Sequence, residues 1–346
     1  MRVLLLGPYP PPHGGVQTNL VAIRRFLLER RVPCAVINLT RFRQASAGQV
    51  FYPKSAFGVL RLLLRLRYDI VHLHLGGCLT FRLLGMSLLC TLLPRARSVL
   101  TFHSGGYASS PEGRSARYWT LRGFVFRRFD RIIGVNPEII ALFRRLGVRP
   151  ERLRLIHPHA LAAPSLDLPL PEGLESFFRH HRPVLLSVGL LEPEYDLPLQ
   201  VEALGVLRER FQDAGLLLIG AGSLEQELRA QIASKPHAQH ILLCGDVPHA
   251  VTLGAIAKSD LMLRTTLYDG DSIAVREALH LGTPVIATDN GMRPEGVDLI
   301  PASNLEALCQ ACQRRLREAA PRQRRPQAGE ENIQAVFDLY RELTET

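Results

Sequence analysis

Short apolar runs rich in Leu, Ile and Val alternate with longer segments of helical periodicity along most of this chain. Leu20, Ile23 and Leu27, for example, recur at helical spacing after the apolar run at 3–6. This βαβα order favours parallel strands, because each helix returns the chain to the start of the next strand. Strands are predicted at 3–6, 34–39, 70–75, 98–102, 131–136, 154–157, 184–188, 216–219, 241–244, 261–263 and 284–288. The fold class is therefore α/β, with parallel sheets covered by helices on both faces.

The alternation breaks at residues 160–182, a segment that is rich in proline at its start. A chain of 346 residues also exceeds one ordinary core. We therefore predict two Rossmann-like domains, 1–165 and 166–346, the second closed by a helix at 331–343. Ligands of such sheets bind beyond the carboxyl ends of the strands. The expected site is a cleft between the two domains, whose closure would exclude water.

The two halves of the chain carry opposite charge. Residues 1–165 contain 25 Lys and Arg against 6 Asp and Glu, whereas residues 166–346 contain 17 against 26. A basic half attracts an anionic surface or substrate. No aromatic–basic interleaving and no zinc-finger spacing accompanies the arginines, so a membrane ranks above nucleic acid as the partner. Basic helices predicted at 56–67 and 122–129 are the expected contacts with anionic lipid.

The six cysteines are scattered, and only Cys309 and Cys312 form a CxxC pair. Without a second pair nearby, two thiols on a helix are a better interpretation than a zinc site. No acidic metal-binding cluster stands out, so we expect neither a metal nor a cofactor. The apolar start is too short for a signal peptide, and the run at 83–93 is too short to span a bilayer. We expect a cytoplasmic protein, peripheral on the inner face of the cell membrane.

The segment DGDSIAVREALHLGTPVIATDNG at 269–291 points most directly to chemistry. Asp269 and Glu277 are separated by seven residues, and the intervening turn Gly270, Asp271, Ser272 leads into a helix at Ile273. A helix N-terminus suits a phosphate, and two carboxylates accept hydrogen bonds from the hydroxyls of a sugar and a ribose. Together they indicate a nucleotide-sugar site. Ion pairs that tie up either carboxylate inside its own domain would contradict this interpretation.

Five further positions follow predicted strands. Gly14 and Gly15 lie between the first strand and the first helix, where backbone N–H groups can approach an anion. His103 ends the fourth strand and could donate to a phosphate or sugar oxygen. Gly189 and Gly222 follow the first two strands of the second half, near an expected diphosphate and ribose. His72 and His74 alternate on one strand and are expected to be mainly structural, with contacts at the rim of the site left open.

With these segments in order, the chain resembles the family 4 glycosyltransferases of the GT-B fold, in a sub-branch of the bacterial polysaccharide-biosynthesis type. The resemblance covers nearly the whole length and rests on LLLGPYPPPHGGVQTNL, DIVHLHLGG, TFHSGG, DRIIGVNPEIIALFRRLGV, SVGLLEPEYDL, LLIGAGSLEQEL and DGDSIAVREALHLGTPVIATDNGMRPEGV. It implies a retaining, metal-independent transfer of a sugar, of the hexosyltransferase type. It also implies that Asp269 contacts hydroxyls of the donor sugar and Glu277 the ribose. Gly14 and Gly15 would lie against the diphosphate, and His103 would face the donor sugar.

The chain departs from the family pattern at two places. The first acid is usually Glu and is here Asp269, one methylene shorter. The family commonly places an Arg and a Lys on the loop after the first strand of the second domain, where this chain has LLEPEYD and no cation. A diphosphate left unpaired in a binding site is costly. Arg264 or Arg293 could supply the missing charge.

The resulting functional prediction is a transferase that moves a sugar from a nucleotide-sugar donor to a lipid-linked or oligosaccharide acceptor in cell-surface polysaccharide synthesis. Two alternatives remain open at this point. One is an inactive protein of the same fold that binds a nucleotide sugar or a partner transferase. The other is a sugar-nucleotide epimerase, which would give no reason for an arginine-rich half that attracts a membrane.

Overall fold

The computed structural model describes residues 1–11, 13–40, 45–77, 79–158, 169–269, 271–291, 293–318 and 330–345. The chain forms two compact units, one made of Met1–Leu161 with Ala328–Thr346 and the other of Ala162–Gln327. Each unit contains one sheet, and all paired strands are parallel. The predicted α/β class is confirmed.

The first unit is built on a seven-stranded sheet of order β3-β2-β1-β4-β5-β6-β7. Its strands are β1 Val3–Gly7, β2 Cys34–Asn38, β3 Val50–Phe51, β4 Ile70–Leu75, β5 Arg97–Phe102, β6 Arg131–Gly134 and β7 Leu153–Leu155. Its helices are α1 Gly15–Glu29, α2 Ala56–Arg65, α3 Phe81–Thr91, α4 Gly105–Ser109, α5 Pro111–Ser115, α6 Leu121–Phe126 and α7 Pro137–Arg145, with a 3₁₀ turn at Pro150–Arg152. The C-terminal helix, α14 Glu330–Glu345, belongs to this unit.

The two faces of this sheet bury different sets of residues, because successive side chains of a strand point to opposite sides. On β4, Val71 and Leu73 join a cluster that includes residues of α2, α3, α6 and α7. On the same strand, Ile70 joins a cluster with residues of α1 and α14. Both faces are thus covered by helices, as expected for a parallel sheet.

The C-terminal helix differs from the sequence prediction, which placed it in the second domain. Apolar residues recur along it at helical spacing and pack into the cluster shared with α1 and the sheet of the first unit: Ile333, Val336, Leu339, Tyr340 and Leu343. Residues of α2, α3, α4, α6 and α7 pack on the opposite face of its sheet. The last helix therefore buries its apolar stripe on the face that α1 covers only in part.

The second unit is built on a six-stranded sheet of order β10-β9-β8-β11-β12-β13. Its strands are β8 Val184–Val188, β9 Gly215–Ile219, β10 Ile241–Gly245, β11 Leu261–Arg264, β12 Val285–Thr288 and β13 Asp298–Ile300. Its helices are α8 Glu172–His180, α9 Leu197–Arg208, α10 Glu225–Ala233, α11 His249–Lys258, α12 Ile273–Leu281 and α13 Leu305–Glu318, with 3₁₀ turns at Pro193–Tyr195 and Ala238–His240. Cys309 and Cys312 lie buried on α13 as free thiols, which confirms the helical interpretation of that pair.

Every strand predicted from the sequence is present, with ends that differ by at most two residues. The short strands β3 and β13, which lie at sheet edges, were not predicted from the sequence. The helices α3, α4, α5, α7 and α8 were not predicted either. Within the described residues, no helix is long and apolar enough to cross a membrane, and no group of three or more His, Cys, Asp or Glu is placed to hold a metal ion.

Candidate functional site

The sheet of the second unit changes winding direction between β8 and β11. From β8 the chain adds β9 and β10 on one side, and β11, β12 and β13 lie on the other. Ligands of open α/β sheets bind outside the carboxyl ends of the strands at such a point. Arg264 is the last residue of β11, and its side chain joins the ends of β11 and β8. Its Nη1 donates a hydrogen bond to the carbonyl oxygen of Val188, 2.8 Å away at the end of β8.

Three charged side chains meet beside this switch point. Asp269 Oδ2 lies 2.7 Å from Nη2 of Arg264 and 3.0 Å from Nη1 of Arg293. The arginine side chains are only 6% and 3% exposed, so both cations are buried. Burial by itself raises the pKa of Asp269, but the charges of Arg264 and Arg293 outweigh it and hold that pKa below its ordinary value. Two cations sharing one carboxylate leave the cluster with one net positive charge.

This pairing contradicts the expectation that Asp269 is free of ion pairs inside its own unit. Arg293 also donates from Nη2 to Thr266 Oγ1 at 2.6 Å and from Nε to the carbonyl oxygen of Thr288 at 3.1 Å. Arg264 stacks over the ring of Tyr195, with 4.6 Å between the guanidinium carbon and the ring centroid. The sequence had named both arginines as substitutes for the missing cations, and the structure brings them together around Asp269.

The start of α12 is occupied by contacts within the helix. Ser272 is its N-cap and accepts the backbone N–H of Val275 at 3.4 Å. Asp271 forms a bidentate pair with Arg276, with both N–O distances at 2.7 Å. Ile273 is buried as the first helical residue. Gly270 lies outside the described residues. Phosphate contact by this turn therefore stays a prediction.

Glu277 lies on the second turn of α12 and is 6% exposed. Its Oε1 accepts a hydrogen bond from Nε2 of His249 at 2.6 Å. Burial lowers the pKa of His249, but the bond to Glu277 and its charge outweigh this and raise that pKa above the ordinary value. The second acid of the predicted site is thus also paired inside its own unit, contrary to the expectation. The role of His249 was not predicted from the sequence, because nothing in the 27 residues between the two positions indicates that α11 and α12 are neighbours.

The glycines at the ends of β8 and β9 are required by packing within the unit. A Cβ on Gly189 would lie 2.1 Å from the Tyr195 ring and 2.8 Å from Nη1 of Arg264. A Cβ on Gly222 would lie 2.4 Å from the carbonyl oxygen of Leu191. Contact of either glycine with a donor stays a prediction, since close packing already explains the residue type.

In the first unit, the predicted glycines lie where α1 begins. Gly14 is the N-cap, Gly15 is the first helical residue, and no side chain within the described residues caps the helix. The first N–H groups of α1 therefore lack the side-chain acceptor that Ser or Asp would supply at this position. This geometry suits an anion, but no contact tests the predicted role.

Histidines at the ends of β4 and β5 form a group in the first unit, of which His72 and His74 are buried. His74 Nδ1 lies 3.3 Å from Nε2 of His103, and His72 is hydrogen-bonded to Tyr340 and, at 2.7 Å, to Thr101 Oγ1. Burial lowers the pKa of His72 to about 3 and that of His74 well below its usual range, so both stay neutral. His72 and His74 are buried as structural residues would be. His103 is half-buried beside them, and its role toward a donor stays a prediction.

Two family descriptions match the two parts of the chain. "Glycosyl transferase 4-like domain" matches residues 1–159, and "Glycosyl transferases group 1" matches residues 175–299. The first match ends close to Leu161, where the first of the two segments that make up the first unit ends. The second match lies within the second unit.

Curated relatives and solved structures agree with these matches. The phosphatidyl-myo-inositol mannosyltransferase of Mycobacterium leprae is 24% identical over 370 residues, which are 96% of this chain and 92% of that protein. The amylovoran biosynthesis glycosyltransferase AmsK of Erwinia amylovora is 26% identical over 177 residues, 47% of this chain and 39% of that protein. Anabaena HepE, crystallised with UDP and glucose, superposes with a TM-score of 0.68 at 16% identity, covering 99% of both chains. WaaG, from lipopolysaccharide biosynthesis, superposes at 0.66 and 16% identity, covering 97% and 95%.

Proposed function

Because the chain belongs to the family 4 glycosyltransferases of the GT-B fold, we propose that it moves a hexosyl group from a nucleotide-sugar donor to a hydroxyl of a lipid-linked or oligosaccharide acceptor. We place this reaction in glycolipid or cell-surface polysaccharide synthesis. The names of the relatives, a phosphatidyl-inositol mannosyltransferase and an amylovoran glycosyltransferase, support that class of product. The UDP bound to HepE supports a nucleotide-linked donor.

The observation that carries the proposal is the cluster of Arg264, Asp269 and Arg293 at the switch point of the second sheet. A nucleotide sugar presents a dianionic diphosphate, and the loop at 190–196 offers no cation to it. The cluster keeps one net positive charge in a buried setting, where low polarity strengthens its field. Helix N-termini and this charge together would stabilise the diphosphate as it leaves.

The ion pairs of Asp269 and the hydrogen bond of Glu277 change the expected roles of both acids without excluding a donor. A carboxylate offers about four lone-pair positions, so an ion-paired oxygen still leaves acceptor capacity for a hydroxyl. Asp269 holds two arginines in place and would meet the donor sugar from that fixed position. Glu277 would meet the ribose. The criterion that any ion pair contradicts the transferase was too strict for this reason.

The mechanism follows from the family as a proposal: transfer with retention of the anomeric configuration and without a metal ion. Positive charge from arginines takes the part that a divalent cation has in other transferases. His103, half-buried at the end of β5, is placed among neutral histidines and would donate to an oxygen of the donor. The acceptor hydroxyl would be bound by the first unit.

The first unit also presents a surface that fits an anionic membrane. On α2, Phe57 and Leu64 are 74% and 72% exposed, and Arg61 and Arg65 are exposed and make no ion pair among the described residues. Trp119 is 89% exposed near the start of α6. Exposed aromatic and apolar side chains beside unpaired arginines suit the headgroup region of a bilayer. We propose a peripheral association with the cytoplasmic face of the cell membrane.

The second predicted lipid-binding helix contributes less than the sequence indicated. Arg122 donates to the carbonyl oxygen of Glu112 at 3.2 Å, and Arg127 donates to those of Tyr118 and Leu146 at 2.6 and 3.0 Å. These two arginines fasten loops of the first unit. Arg128 remains exposed on this segment.

Release of nucleoside diphosphate tests the enzymatic proposal. Purified protein is incubated with UDP- and GDP-sugars, with and without a polyprenyl-diphosphate-linked sugar as acceptor. Acceptor-dependent release of one diphosphate by the wild type, lost in Glu277→Ala and retained in the exposed control Glu306→Gln, is expected. Binding of a nucleotide sugar without release would favour the inactive alternative. Conversion of the free nucleotide sugar without acceptor would favour the epimerase.

Vesicle binding tests the membrane proposal. Trp119 is the single tryptophan of the chain, so tryptophan fluorescence reports on the surroundings of this one exposed side chain. Vesicles with anionic lipid should shift its emission to the blue, and added salt should weaken the binding. Arg61→Glu with Arg65→Glu should weaken it further. Arg25→Glu, on α1 and the opposite face of the sheet, is the matched control. Vesicle binding that changes neither with salt nor in the α2 variant would refute the proposed membrane association.

A further inference from the structure

We propose that His249 is a positioning residue for the donor ribose: it holds one oxygen of Glu277 so that the other accepts a ribose hydroxyl. The inference rests on the proposed function, because it needs a nucleoside diphosphate in the second unit. It adds a residue from a different helix to the acid pair that the sequence indicates.

The geometry joins the beginnings of two helices. His249 is the first residue of α11, directly after its N-cap Pro248. Glu277 is the fifth residue of α12. Their side chains meet at 2.6 Å between Nε2 and Oε1, with 21% of His249 and 6% of Glu277 exposed. A contact this short between two acceptors would be repulsive, so Nε2 carries a proton whether His249 is neutral or charged.

The second carboxylate oxygen is the one available to a ligand. Among the described residues, Glu277 makes a hydrogen bond through Oε1 to His249, and Oε2 has no hydrogen-bond partner. This oxygen is not among the fully buried unpartnered polar atoms of the described residues, so a donor group of a ligand can reach it. A vicinal diol supplies two O–H donors on adjacent carbons, which matches a carboxylate held in one orientation.

The charged side chains nearest to His249 and Glu277 along their helices are paired with other residues. Arg276, next to Glu277 on α12, is bound by Asp271, and Lys258 at the end of α11 is bound by Glu175. Burial lowers the pKa of His249, but the hydrogen bond to Glu277 and its charge outweigh this and raise that pKa above its ordinary value, which favours the charged imidazole beside the carboxylate. The hydrogen bond from Nε2 thus holds the carboxylate of Glu277 in one orientation.

A binding cycle isolates this role. Titration calorimetry measures the affinities of UDP, GDP and their 2′- and 3′-deoxy analogues for the full-length wild type, His249→Ala and His249→Gln. Gln keeps an N–H donor near the position of Nε2 but has no charge. The wild type should prefer the ribonucleotide over its deoxy analogue by about tenfold or more, the value of a hydrogen bond to a charged group. His249→Ala should lose most of that preference, and His249→Gln should restore part of it.

Controls keep the two proposals apart. His180→Ala, an exposed histidine of the same unit, should leave every affinity unchanged. Melting temperatures establish that each variant is folded. If the wild type binds none of the nucleotides, the proposed function fails. If it binds them and His249→Ala keeps the full preference for ribose, or loses affinity equally for both forms, only the role of His249 is overturned.

Discussion

Replacing Asp269 by Asn should destabilise the second unit strongly, because the change leaves two buried arginines without a counter-charge. Arg264 and Arg293 are 6% and 3% exposed and both contact Oδ2 of Asp269. Removing one partner of a buried ion pair costs about 3–5 kcal/mol. In a unit of this size, 1 kcal/mol lowers the melting temperature by about 2–4 °C. The expected loss is therefore about 6–20 °C.

Thermal unfolding followed by calorimetry measures this loss, and a double variant separates its cause. Arg293→Gln in the Asp269→Asn background removes one of the two unpaired charges. The double variant should therefore be less destabilised than the sum of the single variants, by about 1 kcal/mol or more. Asp298→Asn, which breaks a pair with the more exposed Arg315, is the control and should cost less. A loss below about 1 kcal/mol for Asp269→Asn, or strictly additive effects, would refute the reasoning.

The same cluster predicts how stability depends on pH. The folded pKa of Asp269 lies below its ordinary value, despite burial, because of Arg264 and Arg293. Its contribution is therefore fully present above the unfolded pKa of about 3.9 and is lost as the pH falls through the folded value. Between about pH 5 and pH 2, the wild type should lose more unfolding free energy than Asp269→Asn. Equal acid sensitivity of the two proteins would contradict this assignment.

Two further predictions concern packing. Tyr340→Phe removes the hydrogen bond to buried His72 and should lower the unfolding free energy of the first unit by about 1–3 kcal/mol, measured by urea denaturation; an unchanged midpoint would show that the bond contributes nothing. Gly189→Ala places a methyl group against the ring of Tyr195 and should cost about 1–3 kcal/mol, and Tyr195→Leu should relieve part of that cost in the double variant. If Gly189→Ala melts like the wild type while donor affinity falls, the glycine serves the ligand and not the packing.

The sequence by itself determined most strands and several helices, because these depend on the residues within each segment. The periodicity of apolar residues indicated every predicted strand, and the adjacent Gly14 and Gly15 marked the start of α1. The residue types at Asp269 and Glu277 also fixed which side chains could meet a polyol. Edge strands such as Val50–Phe51 escaped prediction, since two residues carry no periodic signal.

The tertiary structure alone decided which distant side chains meet. The local sequence does not indicate that Arg293 pairs with Asp269 or that His249 donates a hydrogen bond to Glu277. It also does not indicate the hydrogen bond between Tyr340 and His72, which are 268 positions apart. The assignment of the last helix to the first unit has the same origin. These contacts arise because a helix is most stable when its apolar face packs on an uncovered sheet face. Polar side chains on the same elements then form hydrogen bonds with the polar groups that this packing places next to them. The sequence predicts the last helix and its apolar face. Which of the two sheets this face packs against depends on the tertiary structure.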